Sequence, residues 1–204
     1  MERTVSMDKE RLRKQIEFIE EVDKLKQIYR QTLLMDGSRN ENDAEHSWHL
    51  ALMAMVLYEY SPKNDLDITK VLKMLLVHDL VEIYAGDTFC YDEKGNLDKA
   101  GRELTAADRL YSILPLDQGQ EFRALWEEFE ERKTPEALFA SSLDRLQPLL
   151  CNYNTQGHTW VKYDIKSDKV FDRTSPIKEG APGLWELVEE IVEDAIDKGF
   201  LERA

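Results

Sequence analysis

The chain has 204 residues, 42% of them hydrophobic, and its 27 basic and 41 acidic side chains give a net charge of −14. That length supports one domain with a sizeable core and no need of staples, and the acidity excludes non-specific binding to nucleic acid or to an anionic membrane surface. Two cysteines, Cys90 and Cys151, exclude a disulfide framework and fit a reducing compartment.

Taken in chain order, the N-terminal stretch MERTVSMDKERLRKQ is charged and lacks the apolar segment of a secretory leader. From Asp8 to about Leu34, Leu12, Ile16, Ile19, Val22, Leu25, Ile28 and Tyr29 recur at three- and four-residue steps among charges, which predicts one amphipathic helix. DGSRNEN follows as a loop. Asn42, with Glu45 three positions on, has the spacing of a capping box. The helix it opens is expected to reach about Tyr60, with Pro62 beyond its end, and to be central because it is apolar nearly all round from Ala51 to Leu57. Its apolar run, Leu50–Tyr58, is far too short to span a bilayer. A third helix is expected over Ile68–Ala85, ending at Gly86, a residue suited to a left-handed cap.

The polar stretch DTFCYDEKGNLDKAG reads as a long loop, followed by helices over Arg102–Leu114 and Asp117–Arg132. Thr134 and Pro135 supply an N-cap and a first-turn proline for the next helix, which Pro148 is expected to kink or shorten. Residues 152–183 are broken by Gly157, Pro176, Gly180 and Pro182, and a last helix covers Leu184–Lys198. Strand signals are scarce. The expectation is a single all-α domain over 1–204, cytoplasmic, with no membrane or nucleic-acid partner.

In LLVHDLVEIYAGDT, three ionisable residues interrupt an apolar helix. Burying them costs several kcal/mol each unless they are paired or bound to a metal. On a helix His78 and Glu82 lie one turn apart on one face, with Asp79 about 100° from His78. Imidazole nitrogen with carboxylate oxygen suits a divalent transition metal such as Mn, Fe, Co, Ni or Zn. Two adjacent ligands cannot close a site, and the chain has only four histidines, His46, His49, His78 and His158. Asp144 is a second anomaly. The small residues Ala137, Ala140 and Ser141 lead to it, so its carboxylate can face another helix. Each feature taken alone has an ordinary reading: a hydrogen-bonded core histidine at His78, a solvated Glu82, a surface ion pair of Asp144 with Arg145. His49 and His158 keep that ordinary reading, and EEFEERK is a solvated helix face.

Taken together, EHS at Glu45–Ser47, HDLVEIYAGD at His78–Asp87, KAGRE at Lys99–Glu103, SLDRLQP at Ser142–Pro148 and the terminal LWELVEEIVEDAIDKGFL resemble the HD-domain phosphohydrolases, in their 5′-deoxynucleotidase-like branch. The pieces fall in the family's order over most of the chain. The resemblance implies an all-helical fold in which His46, His78, Asp79 and Asp144 hold one metal. It further implies that Glu82 orients or deprotonates the attacking water and that Asp87 lies beside water and substrate. An arginine from the end of the first helix would meet the phosphate; Arg30 is the candidate, with Arg39 as the alternative. Family members are usually dimers, so a homodimer is expected.

The chain departs from the family's deoxy-selective members in having no tryptophan between Arg30 and Trp48, and its 88–98 loop is its own. No histidine lies between Asp79 and Asp144, which separates it from dinuclear relatives, and the HDxxED and GYP patterns are absent. The function expected is release of phosphate from (deoxy)nucleoside 5′-monophosphates by a metal-activated water. The alternatives are hydrolysis of another small phosphate ester or of a nucleoside triphosphate, or a non-catalytic, metal-stabilised binding or scaffold protein.

Overall fold

The computed structural model describes residues 8–204; residues 1–7, which open the charged N-terminal stretch, lie outside the described residues. Helix α1 (Lys9–Val22) is capped by Asp8, whose side chain accepts from the N–H groups of Glu10 and Arg11. It is shorter than the apolar spacing predicts. The chain tightens into a 3₁₀ turn over Asp23–Gln27 and then extends as β1 (Tyr29–Leu33), paired antiparallel with β2 (Asn40–Asn42). Five residues are too few to separate a period of two from one of 3.6, so the helical pattern runs on into a strand. This hairpin is what carries Arg30 to the site.

Helix α2 (Asp43–Val56) starts with the expected box: the Asn42 side chain accepts from the Glu45 N–H, and the Glu45 carboxylate from the Asn42 N–H. It ends at Val56, short of Tyr60. One side buries His46, Leu50, Met53 and Ala54. The other leaves Trp48 and Val56 64% and 65% exposed, so the helix is central but covered on one side only.

The third expected helix is broken in two. Helix α3 (Ile68–Val77) stops at the HD pair. After the His78 N–H bonds to the Met74 carbonyl, the Leu80 and Glu82 N–H groups reach back only three residues, to Val77 and Asp79. The single turn α4 (Glu82–Ala85) then ends at Gly86, whose φ of 77° disfavours any side chain. Helices α5 (Lys99–Tyr111) and α6 (Leu116–Glu131) follow.

Helix α7 (Pro135–Asn154) opens as expected, with Thr134 accepting from the Ala137 N–H, but continues through Pro148 instead of ending near it. An interior proline costs about 3 kcal/mol or more. Here Leu143, Leu146 and Leu149, all buried, hold both sides of it in the core; burying such side chains contributes roughly 1.5–3 kcal/mol each. The mixed segment resolves into α8 (His158–Lys162), α9 (Ser167–Thr174) and α10 (Ile177–Gly180), and α11 (Trp185–Asp197) closes the bundle. Gly180 lets α10 press on α7, because a Cβ there would collide with the Leu138 carbonyl oxygen and Ser142 Oγ.

Two apolar clusters flank the break after α3. The larger centres on Leu50, Met74, Phe139, Leu146, Ile177 and Val188; the smaller on Phe18, Leu25, Val77, Val81, Leu110 and Trp126. Among the described residues both cysteines are free, Cys90 exposed and Cys151 buried, and no helix is long and apolar enough to cross a membrane.

Candidate metal centre and substrate cleft

Three elements bring the expected ligands together: α2 supplies His46, the turn after α3 supplies His78 and Asp79, and α7 supplies Asp144. His46 Nε2 lies 3.0 Å from Asp144 Oδ1, and His78 Nε2 lies 3.1 Å from Asp79 Oδ1 and 3.8 Å from Asp144 Oδ1. One atom each of His46, His78 and Asp79 falls within 4.8 Å of the others, close enough to share one ion. His78 Nδ1 donates to the Leu75 carbonyl at 2.9 Å, which leaves Nε2 as the nitrogen facing the site. Nε2 is buried and makes no hydrogen bond. A buried polar atom aimed at two carboxylates without a bond fits a cation between them.

The tight turn matters here. It lets Asp79 reach both His78 and Glu82, and the His78 ring packs against Phe129 with centroids 4.7 Å apart. Burial works against charge on His78, but Asp79 and Asp144 outweigh it and push the imidazole up to about 10. Burial likewise opposes the Asp79 and Asp144 carboxylates, yet the histidines, with Arg30 at Asp79, hold both well below the usual range. Without a metal, protons on the histidines neutralise this cage; a divalent ion competes for the same lone pairs.

Residues that sequence reasoning missed support His46 from behind. Its Nδ1–H points to Gln147 Oε1 at 3.2 Å, and Gln147 Nε2–H donates to Glu41 Oε1 at 2.7 Å. All three are buried. The chain orients the imidazole so that Nε2 faces the ligands. The one signal in the sequence was Gln147, three positions after Asp144 and so one helical turn away. His49 lies beside this chain, 3.4 Å from Gln147 Nε2, and His158 is exposed; neither joins the ligands.

The other half of the site is acidic. Asp43, Asp79 and Glu82 offer carboxylate oxygens within 4.8 Å of one another. Burial, then the Asp79 charge, raises Asp43 to about 7 and Glu82 well above its ordinary value. Burial raises Asp87 as well, against the pull of Arg30. Arg30 threads between these acids, donating to Asp79 at 2.9 Å and to Asp43 at 3.3 Å. Arg39 is elsewhere. It forks onto Glu45 at 2.6 and 2.8 Å on the surface and does not line the cleft.

An open cleft of about 780 Å³, solvent at its mouth included, runs from Arg30, Asp79, Glu82 and Asp87 past Lys99 to Arg173. Phe89, Cys90 and Tyr91 of the 88–98 loop form its rim. Arg102 of the KAGRE stretch pins that loop, donating to the Ala85 carbonyl, Thr88 Oγ1 and the Gly95 carbonyl.

Fold and site together define a class: an all-α bundle in which two histidines and two aspartates from three separate elements meet beside a cleft lined by both cations and acids. The chain belongs to the HD domain family, which matches residues 22–185. It is 31% identical over 166 residues to a Dictyostelium discoideum protein named 5′-deoxynucleotidase HDDC2, covering 78% of this chain and 87% of that one. A predicted metal-dependent phosphohydrolase from Magnetospirillum magnetotacticum has the same fold, with a TM-score of 0.92, 48% identity, and coverage of 98% of this chain and 100% of its own. PH0347 protein from Pyrococcus horikoshii is similar at a TM-score of 0.61 and 26% identity, over 87% of this chain and 98% of that one.

Proposed function

We propose that this chain is a metal-dependent phosphohydrolase that releases phosphate from (deoxy)nucleoside 5′-monophosphates. The observation that carries the reading is the buried, unbonded His78 Nε2 facing Asp79 and Asp144 at the end of a cleft lined with cations. The relatives support it: one is named a 5′-deoxynucleotidase and another a metal-dependent phosphohydrolase. His46, His78, Asp79 and Asp144 hold one divalent ion, and two imidazoles with two carboxylates favour a transition metal over Mg.

Such an ion supplies Lewis-acid polarisation of the phosphoryl oxygen and a water of lowered pKa. Glu82 accepts the proton of the attacking water. Its burial among other acids makes it a strong base once ionised, which suits proton abstraction. Asp87, at the start of the loop, orients water and substrate. Arg30 helps keep Asp79 ionised, holds Asp43 in place and offers its remaining positive charge to the phosphate. The chain acts in the cytoplasm as a homodimer on this reading; the exposed Trp48, Leu52, Met55 and Val56 on one face of α2 support self-association. Light scattering at the mass of one 23.8 kDa chain over a wide concentration range rejects the dimer.

The deciding experiment screens phosphorylated metabolites with Mn, Co and Mg, reading phosphate release. Nucleoside 5′-monophosphates should lead, with about one ion per chain, and Asp144→Ala should lose ion and activity together. Turnover of other esters or of triphosphates alone moves the substrate class. A metal-loaded protein that hydrolyses nothing makes the centre a structural one.

A further inference from the structure

Arg30 lies on one wall of the cleft, and its side chain is only 13% exposed with two carboxylates already on it. The same cleft carries a second arginine with fewer commitments. Arg173, on α9, is 37% exposed and lines the cleft. Its nearest carboxylate is Asp144, with NH2 3.8 Å from Oδ2, too far for a hydrogen bond. The same oxygen lies 3.5 Å from NH1 of Arg145, which is buried and uses NH1 on the Ser141 carbonyl.

Two guanidinium groups therefore share one carboxylate oxygen, while its partner oxygen belongs to His46 at 3.0 Å. Asp144 cannot neutralise both arginines and serve the metal cage as well. Val170 and Thr174 are buried on either side of Arg173 along α9, so its Cα is fixed to the core while its head faces the cleft. An incoming dianion would meet unspent donors here, one carboxylate away from the two histidines.

We propose that Arg173 binds the substrate's phosphate, with Arg145 as the fixed positive charge behind it. This rests on the phosphohydrolase reading above. The planar fork of arginine matches phosphate oxygens two at a time, a fit a lysine cannot copy. Arg30 then organises the acidic half of the site, and Arg173 takes the phosphate.

The test uses the full chain loaded with Mn, titrated calorimetrically with inorganic phosphate, alongside steady-state kinetics on a nucleoside 5′-monophosphate. Arg173→Met should weaken phosphate binding about tenfold or more, the scale of a lost charge-assisted hydrogen bond, and raise KM in parallel. Its Mn content and melting temperature should match the wild type. Arg173→Lys should recover part of the affinity. Unchanged phosphate affinity in Arg173→Met overturns the proposal, and so does loss of Mn, which would make Arg173 a support for Asp144. A wild type that holds Mn yet binds neither phosphate nor nucleotide defeats the phosphohydrolase reading first and takes this proposal with it.

Discussion

The two halves of the site are built from the same kinds of residue and behave in opposite ways. Around His46, His78 and Asp144, carboxylates sit against imidazoles, and both aspartates of the cage are held well below their ordinary range. Around Asp43, Glu82 and Asp87, carboxylates face one another with Arg30 as the shared counter-ion, and all three are pushed upward. The first arrangement, two imidazoles against two carboxylates, suits a divalent cation. The second raises its acids, which favours their protonated forms. Asp79 belongs to both, which brings Glu82, the proposed base, next to the candidate metal cage.

The comparison breaks hardest at Glu82. Changing it to Gln keeps shape and hydrogen-bonding reach but removes the proton acceptor. Turnover should fall by about two to four orders of magnitude, mainly in kcat, with metal content and folding retained. Wild-type phosphate release from this variant removes Glu82 as the base. Loss of metal instead would place it in the cage half.

On the other side, Gln147 tests whether the cage depends on its backing. Gln147→Leu removes the acceptor for His46 Nδ1–H and strands the Glu41 carboxylate. Mn affinity, measured by calorimetry, should drop about 10–100-fold, as for other outer-shell partners of metal-bound histidines, while saturating Mn restores most of the turnover. A Gln147→Leu protein that binds Mn normally shows that packing alone orients His46.

Much of this was legible in the sequence. The box at Asn42 and Glu45 announced α2, Thr134-Pro135 announced α7, and the four candidate ligands that the family resemblance implied lie near one another. The failures share a cause. Sequence periodicity reports what the core wants, not where hydrogen bonds change register. Leu25 and Ile28 kept the helical pattern alive while the chain turned into a strand, and the apolar run from Leu75 to Ile83 hid the tightened turn at His78. Pro148 argued for a break that buried leucines on both sides override. Gln147 and Arg102 fell within quoted motifs but without a role, and Arg173 carried no mark at all, because what each does depends on partners from distant elements.

The halves also predict a pH signature for the metal-free protein. Asp43 has an ordinary value of 3.8 and about 7 in the fold, so the folded state holds the extra proton and stability falls as pH rises through that window. Glu82 and Asp87, also raised, act in the same direction. His78, raised from 6.5 to about 10, contributes stability that is full below 6.5 and lost as pH climbs towards 10. The chelated protein should therefore melt lower at about pH 8.5 than at about pH 5.5. Mn should stabilise it more at the higher pH, because fewer protons compete for His78. A chelated protein that gains stability across this range contradicts the assignment of the acidic half.

The smallest effect expected is at Arg39, and it sharpens the comparison by excluding a residue. Both Arg30 and Arg39 lie near the hairpin, and sequence position alone did not separate them. In the structure Arg30 is sealed between Asp79 and Asp43, whereas Arg39 is half exposed and grips Glu45, itself engaged in capping α2. An exposed pair in water holds little free energy, because solvent screens it and two long side chains must be ordered to form it. Arg39→Ala should leave kcat and KM within about twofold of wild type and barely move the melting temperature, since Asn42 and Glu45 can still cap each other. Arg30→Ala, in contrast, strands two buried carboxylates and should cost both stability and activity. A large rise in KM for Arg39→Ala, with the melting temperature unchanged, would return Arg39 to the phosphate and show that the hairpin folds over the cleft when substrate binds.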